Sequence, residues 1–333
     1  MDSAPRRWGR PDRAVDAVRS AVRAALTECH PGELVLVACS GGADSTALAD
    51  AARYEGTSVG VRVGAGVVDH GIQEGSARVA DDVAARLRLL GLDPVVVVST
   101  AVVSSGDGLE AAARTARYAA LDDLAAHHGA RLVLLGHTRD DQAEQVLLGL
   151  ARGSGARSLA GMPAARGRYR RPLLGVTRAQ TRAACAAEGL TWWEDPMNED
   201  TAHARVRARR AVADLEGDLG PGVAAALARS ARQLRADADL LDTLAVEATT
   251  ALGEGPWSAT ELAALPEALR TRAWRRLLVA AGAPAGQVSH RHVEACDRLV
   301  TDWRGQGPVH APGRLRVGRT GALVSIDRAA PVE

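Results

Sequence analysis

The chain has no lysine, so all 41 of its basic residues are arginine. That absence excludes a Walker-type phosphate loop, whose G-x-x-x-x-G-K-[ST] pattern needs a lysine on the β and γ phosphates. It also excludes any mechanism that runs through a lysine Schiff base. Phenylalanine is missing too, while alanine, arginine, glycine and valine are abundant, a combination that reads as compositional bias in the coding DNA rather than as function. Cysteine is scarce: Cys29, Cys39, Cys185 and Cys296 lie far apart and form no C-x-x-C pair, which argues against a zinc site and against a disulfide framework. Cys39, inside an apolar run, reads as a buried filler. No apolar run reaches the roughly 18 residues of a membrane span. The start of the chain, with Arg6, Arg7, Arg10 and Arg13, lacks the apolar centre of a signal peptide, so a cytoplasmic protein is expected. Net charge is only +1, which selects no partner, and 333 residues suffice for two or three domains with packed cores.

What is present is most informative at Leu34-Val35-Leu36-Val37-Ala38-Cys39-Ser40-Gly41-Gly42-Ala43-Asp44-Ser45, where an apolar strand breaks into two glycines and then a helix start. Glycines at 41 and 42 allow positive φ and close approach of a ligand. Successive N–H groups can then converge on phosphate oxygens, ahead of a helix whose N-terminal dipole favours negative charge. Asp44 stands where a metal counter-ion is needed. The alternative is an ordinary tight turn.

Apolar runs at Leu34–Ala38, Val59–Val68, Pro94–Val98 and Arg131–Gly136 alternate with helical patterns at Asp44–Tyr54, Ser76–Leu90, Leu109–His127 and Asp140–Leu150. Strands apolar at nearly every position predict an α/β fold with a doubly wound, mostly parallel sheet covered on both faces. Ligands in such sheets sit beyond the carboxyl ends of the strands, and two further strand ends carry chemistry. Val67-Val68-Asp69-His70-Gly71-Ile72 offers a carboxylate and an imidazole to a nucleotide base or α-phosphate, unless both serve only the local hydrogen bonds of a turn. Gly136-His137-Thr138-Arg139-Asp140-Asp141-Gln142-Ala143-Glu144 places three acids at a helix start, where the dipole alone would explain one of them. Asp140 and Glu144, four apart, share a helical face, and their like charges are unfavourable unless a cation is shared, an ammonium group or magnesium.

Ser40-Gly41-Gly42-Ala43-Asp44-Ser45 after a strand resembles the pyrophosphate loop of the N-type ATP pyrophosphatases, which split ATP into AMP and pyrophosphate. Further motifs follow in order: Asp69-His70-Gly71-Ile72, Glu110…Ala113-Arg114-x-x-Arg117-Tyr118, the Gly136–Glu144 run, and Arg152-Gly153-Ser154-Gly155…Leu159-Ala160-Gly161-Met162. Arg171-Pro172-Leu173-Leu174, Asp195-Pro196-Met197-Asn198 and an arginine cluster at 205 to 210 complete the series. Together, over about residues 34 to 210, they are similar to the tRNA(Ile)-lysidine synthase family. Two departures stand out. Arg205-Val206-Arg207-Ala208-Arg209 replaces the family's usual Arg-Asn-x-Ile-Arg, and Gln145 stands where the family often has threonine.

The resemblance implies the N-type ATP pyrophosphatase (adenine nucleotide alpha hydrolase-like) architecture with a smaller helical or α+β C-terminal domain. It implies a ligase that uses ATP to adenylate the wobble cytidine of tRNA(Ile) with a CAU anticodon and then joins free L-lysine to it. The product, lysidine, changes codon reading from AUG to AUA. ATP would be held by Ser40, Gly41, Gly42, Ala43, Asp44 and Ser45 with Asp69 and His70, and magnesium by Asp44. An ε-ammonium, whose reference pKa is about 10.4, needs a carboxylate to bind it and to take or relay a proton. Asp140, Asp141 and Glu144 are the candidates, with Asp44, Asp141 and Glu144 as the catalytic set and Glu144 the preferred base; Asp140 could instead cap its helix.

Residues 151 to 210 hold 12 arginines against 5 acids, whereas residues 1 to 150 hold 15 against 20, so the basic segment is the expected RNA footprint. Arg114, Arg117, Arg152, Arg157, Arg205, Arg207 and Arg209 are the tRNA candidates, since arginine suits both phosphate forks and stacking on exposed bases. Trp192 and Trp193 could stack on a base but more often such pairs fill a core edge. Expected boundaries are 1–210 for the catalytic domain, 211–255 for a helical connector marked by Leu227, Leu234, Leu241 and Leu244, and 256–333 for a tRNA-selecting C-terminal domain. In that last segment helices fit Pro266–Ala280 and Ser289–Thr301, and strands fit Pro308–His310, Arg314–Val317 and Ala322–Ile326, with loose ends at 1–13 and after 328. A homodimer is an allowed assembly. A cytidine thiolase with the same glycine loop is the nearest rival but needs reactive cysteines. A synthetase of the NAD or GMP type would not explain the arginine segment, and a non-catalytic RNA-binding relative would be expected to have lost Asp44 or Glu144.

Overall fold

The structure is a computed structural model that describes residues 12–71, 75–100, 109–153 and 155–328. Ile72, Ser154 and most of the expected loose ends fall outside these residues. The chain divides into two compact units, Met1–Gln233 and Leu234–Glu333.

In the first unit, β1 (Leu34–Ala38), β2 (Arg62–Asp69), β3 (Val95–Ser99) and β4 (Ala130–Leu135) lie parallel, and a hairpin of β5 (Ala165–Arg166) and β6 (Tyr169–Arg170) extends the sheet through β6. The order is β3-β2-β1-β4-β6-β5. The alternation of side chains along β1 shows why the sheet is doubly wound. Val35 and Val37 join a cluster with Val15, Val18 and Val22 of α1 (Arg13–Leu26) and Leu48 of α2 (Ala43–Val59). Leu34 and Leu36 point the other way, into a cluster with Leu121 and Leu124 of α4 (Leu109–His127). Between α2 and α4 in the chain lies α3 (Ser76–Leu89), whose Val83 and Leu87 join the first cluster. Because β2 and β4 flank β1 on opposite sides, strand order reverses there, and the chain segments leaving β1 and β4 border the crevice where doubly wound sheets bind ligands.

Two differences from the expected elements have physical reasons. The run Val59–Val68 is not all strand: α2 continues to Val59, Gly60 ends it with φ 72°, and β2 begins at Arg62. Gly56 looks like a breaker but is there for packing, since a Cβ would come within 2.9 Å of the Val61 carbonyl oxygen. Also, α1 begins where a loose end was expected. Asp12 caps it by accepting from the Ala14 N–H at 2.7 Å, and Val15, Val18, Val22 and Leu26 form its buried stripe.

The remaining helices of this unit are α5 (Arg139–Ala151), α6 (Ala156–Leu159), α7 (Arg178–Ala187) and α8 (Ala204–Leu219); α9 (Val223–Leu252) runs from the first unit into the second. The most buried positions on α9 are Ala228, Ala231, Ala238 and Ala245, whereas Leu244, expected on its apolar stripe, is 36% exposed. Alanine permits the closest approach to a helix, so the small residues rather than the leucines are buried.

The second unit is α+β. An antiparallel sheet in the order β7-β10-β9-β8 comprises β7 (Trp257–Ser258), β8 (Val309–Ala311), β9 (Leu315–Thr320) and β10 (Leu323–Arg328). It shares a core of Trp274, Leu262, Leu278, Leu299 and Val317 with α10 (Ala259–Ala264), α11 (Glu267–Ala280) and α12 (His290–Thr301). Asp297 satisfies the buried Trp274 indole at 3.1 Å and the Arg270 fork at 2.7 and 3.2 Å. Among the described residues no helix is long and apolar enough to cross a membrane.

Candidate active site

Of the two glycines in the loop, Gly41 needs both left-handed backbone and the absence of a side chain. Gly41 has φ 85°, and a Cβ there would meet Val83 Cγ2 at 2.4 Å. Gly42, expected to share that conformation, is instead the extended N-cap of α2, with φ −71° and ψ 165°. Ser45 braces the loop: its Oγ donates to the Gly42 carbonyl at 3.1 Å and accepts from the Ser40 N–H at 3.2 Å. The Trp193 N–H donates to the Gly41 carbonyl at 2.8 Å. Ser40, Gly42, Ala43, Asp44 and Ser45 then line a cavity of about 1170 Å³ at the N-terminus of α2. Ligand pockets run roughly 300–1,000 Å³, so this one has room for a nucleotide and a second reactant.

Helix α5 brings the acids to the same cavity. Gly136, just beyond β4, packs directly on the first turn of α2, and a Cβ there would lie 3.2 Å from Ser45 Cα. Thr138 is the N-cap of α5, and Asp141 Oδ2 accepts from its N–H at 2.7 Å and from its hydroxyl at 3.0 Å. The capping acid is therefore Asp141 and not Asp140. Asp140 faces α7, where its Oδ2 accepts from the Arg178 N–H at 2.9 Å, and it does not line the cavity; Asp141 and Glu144 do.

The cation shared by these acids comes from the chain itself. Arg178, the first residue of α7 and absent from the expected site, sends Nη2 to Asp141 Oδ1 at 2.9 Å and Nη1 to Glu144 Oε1 at 3.4 Å, with Nε 3.5 Å from Asp44 Oδ2. Burial works against the Arg178 cation, but Asp141, Glu144 and Asp44 outweigh it and hold the guanidinium pKa above its ordinary value. Arg209 of α8, expected on tRNA, instead donates from Nε to Glu144 Oε1 at 2.8 Å. Thr181 of α7 hydrogen-bonds Asp44 Oδ1. Burial raises the Asp44 carboxyl pKa, while Thr181 and Arg178 pull against the rise and Asp141 adds to it.

Another part of the lining is cationic, with Arg114, Arg117 and Arg205. Desolvation first, then the neighbouring cations, hold Arg114 and Arg117 below the ordinary guanidinium value. Asp69 and His70 do not line the cavity. Asp69 Oδ1 accepts from the Gly71 N–H at 3.0 Å, the local turn bond that was the alternative reading. His70 Nε2 accepts from Arg117 Nε at 3.1 Å, which leaves the ring proton on Nδ1, 3.2 Å from the Thr100 hydroxyl. His70 thus orients Arg117 rather than facing the cavity. His137 does line it, and burial with Arg171, Arg114 and Arg205 depresses its pKa to about 4 against partial support from Asp141. Arg152, Arg157 and Arg207 stand away from the cavity, and Arg207 Nη1 donates to the Thr201 and Ala202 carbonyls, both at 2.7 Å. Trp193 lines the cavity, whereas Trp192 packs at the edge of the core.

Among the described residues no group of three or more His, Cys, Asp or Glu is placed to hold a metal. Magnesium rarely needs such a cage, because it is commonly bound by one or two carboxylates together with substrate phosphates. The Asp44 carboxylate, open to the cavity in the first turn of α2, fits that mode.

Residues 16–216 match a family model described as a PP-loop domain, and residues 258–321 match one described as the TilS substrate binding domain. A tRNA(Ile)-lysidine synthase from Thermobifida fusca is 55% identical over 309 residues, covering 92% of this chain and 95% of the relative. Another, from Streptomyces coelicolor, is 54% identical, covering 88% and 85%. The chain belongs to the tRNA(Ile)-lysidine synthase family. Among solved structures, the U34-tRNA thiolase NcsA from Methanococcus maripaludis, with its [4Fe-4S] cluster, shares the fold of 66% of this chain and 79% of its own. Its TM-score is 0.57 at 17% identity. That likeness is one of fold, and this member of the lysidine synthase family has no thiol suited to sulfur chemistry near its glycine loop. Burial raises the Cys39 pKa, and burial followed by the charges of Asp44 and Asp50 pushes Cys185 to about 12.

Proposed function

We propose that this cavity carries out, in the cytoplasm, two successive steps on the wobble cytidine of tRNA(Ile) with a CAU anticodon: adenylation by ATP, then displacement of AMP by free L-lysine. One observation carries the reading. The glycine loop and the acids of α5 open into a single cavity, with Asp44, Asp141 and Glu144 joined through one guanidinium.

In the first step the cytosine O2 bonds to the α-phosphorus of ATP as the bond to pyrophosphate breaks. N–H groups of the loop and the N-terminus of α2 stabilise charge on the departing phosphates. Asp44 would hold magnesium, which when bound neutralises charge on those oxygens. In the second step the lysine ε-nitrogen bonds to cytosine C2 as the C2–O bond to AMP breaks. Asp141 and Glu144 hold the incoming ammonium, and Glu144 accepts its proton. Asp140 acts at one remove by fixing the Arg178 backbone. Arg114, Arg117 and Arg205 face the anticodon nucleotide and phosphates inside the cavity. Arg152, Arg157 and Arg207, with the second unit, meet the tRNA outside it.

ATP–pyrophosphate exchange should require tRNA(Ile), and Asp44→Ala should abolish it; exchange that proceeds equally well without RNA would count against the reading. Glu144→Gln should slow transfer of labelled lysine at least about 100-fold, the usual contribution of a positioned base. An unchanged transfer rate removes Glu144 from the mechanism.

A further inference from the structure

Arg178 stands where a helix does not want a cation. It is the first residue of α7, at the positive end of the helix dipole, where acids are favoured and arginine is not. Its backbone is nevertheless fixed: the N–H donates to Asp140 at 2.9 Å and the carbonyl accepts from the Thr181 hydroxyl at 2.8 Å. The side chain is held by its acid contacts. Of its three acid contacts one, at 2.9 Å to Asp141, has the length of a normal hydrogen bond, while those to Glu144 and Asp44, at 3.4 and 3.5 Å, are held by charge more than by geometry. The contact with Asp141 matters most. Asp141 Oδ2 is committed to Thr138, and Oδ1 is the oxygen that Arg178 takes. An ammonium group seeking Asp141 must compete with this guanidinium for Oδ1. Glu144 keeps a partner of its own in Arg209 at 2.8 Å, so the acid pair is not left uncompensated when Arg178 leaves.

We infer that Arg178 is a built-in substitute for the substrate ammonium: its guanidinium fills the cation position between Asp141 and Glu144 and withdraws when lysine enters. The inference rests on the assignment of those acids to lysine under the proposed function. Arg178 is on this view a positioning residue. It keeps the buried acids paired before lysine arrives, and it lowers apparent lysine affinity by the fraction of time it occupies the site.

The test is the KM for lysine in tRNA-dependent transfer by the full chain. Arg178→Met removes the internal competitor and should lower that KM at least about threefold, since an occluded site weakens apparent affinity in proportion to its occlusion. Methylguanidinium should then compete with lysine in the variant at lower concentration than in the unsubstituted protein. A KM that stays or rises, with methylguanidinium restoring transfer rather than competing, makes Arg178 a permanent member of the site and overturns the inference. Should that variant fail to fold, the Arg178 Nε–Hε resonance of the unsubstituted protein decides, assigned by its loss in Arg178→Lys. Saturating lysine should shift it to the position and fast water exchange of a free guanidinium, and an unmoved resonance overturns the inference. Asp141→Asn and Glu144→Gln probe the layer beneath: both should raise the lysine KM, and if neither does, the acids do not hold lysine and the inference falls with that assignment.

Discussion

His137 stands on the cavity lining between Asp141 and a group of arginines, and its depressed pKa of about 4 makes the neutral ring the folded form. An unfolded histidine titrates near 6.5. Between those values the unfolded chain takes up a proton that the folded chain refuses, so stability falls as pH drops through this window. The slope is about 1.4 kcal/mol per pH unit at most. His137→Gln should flatten the fall in urea midpoint between pH 7 and pH 5; equal falls in both proteins would place its source elsewhere. At this scale the sequence exposed part of the site. A shared cation at the acids of α5 was legible, although the sequence paired Asp140 with Glu144 where the structure pairs Asp141 with Glu144 and turns Asp140 to the Arg178 backbone. Arg178 and Arg209 were not, because they reach Glu144 across 34 and 65 residues of chain, and nothing local marks such a pairing. The signal available for Arg178 was a basic residue at a helix start, the wrong sign for the dipole. Asp69 and His70 lie off the cavity lining for another reason. A strand end fixes where a residue lies but not where its side chain turns: Asp69 turns into a local turn bond, and His70 turns to Arg117 of α4.

Elements were legible wherever a periodic pattern met a clear stop. Helix α4 runs from Leu109 to His127 as its pattern predicts, and β1 has the bounds of its apolar run. The helix expected to end at Tyr54 continues to Val59, with Gly56 inside it at a point of close packing. Helix α1 was missed although its buried spacing and its Asp12 cap are both visible in the sequence, since the arginine-rich stretch before it reads as a loose start. Asp12→Ala should lower unfolding free energy by about 1 kcal/mol, the usual contribution of an N-cap, as read from a urea titration. Lysine transfer should be unaffected, because α1 contributes no residue to the cavity lining. A loss of activity at full stability would assign α1 a role that its position does not explain.

For the whole molecule the informative quantity is the distribution of charge, because the total is only +1. Affinity for tRNA should fall as salt rises, through release of the counterions that arginines displace from phosphates. Replacing Arg152 or Arg157 with alanine should weaken binding and reduce the slope of log affinity against log salt by about one each. Arg209→Gln should leave that slope alone and act on lysine transfer, because its guanidinium is committed to Glu144. A slope that drops with Arg209 and not with Arg152 or Arg157 would reverse the division between arginines inside and outside the cavity.

The closeness of Gly136 to Ser45 has a consequence for how such an enzyme can vary. With no side chain between the tip of one strand and the opening turn of the neighbouring helix, the spacing from the glycine loop to the acids of α5 is a fixed gauge, set by main chain pressed on main chain. Loops away from that contact can lengthen or change charge without disturbing the gauge, whereas a single methyl group at 136 would reset it.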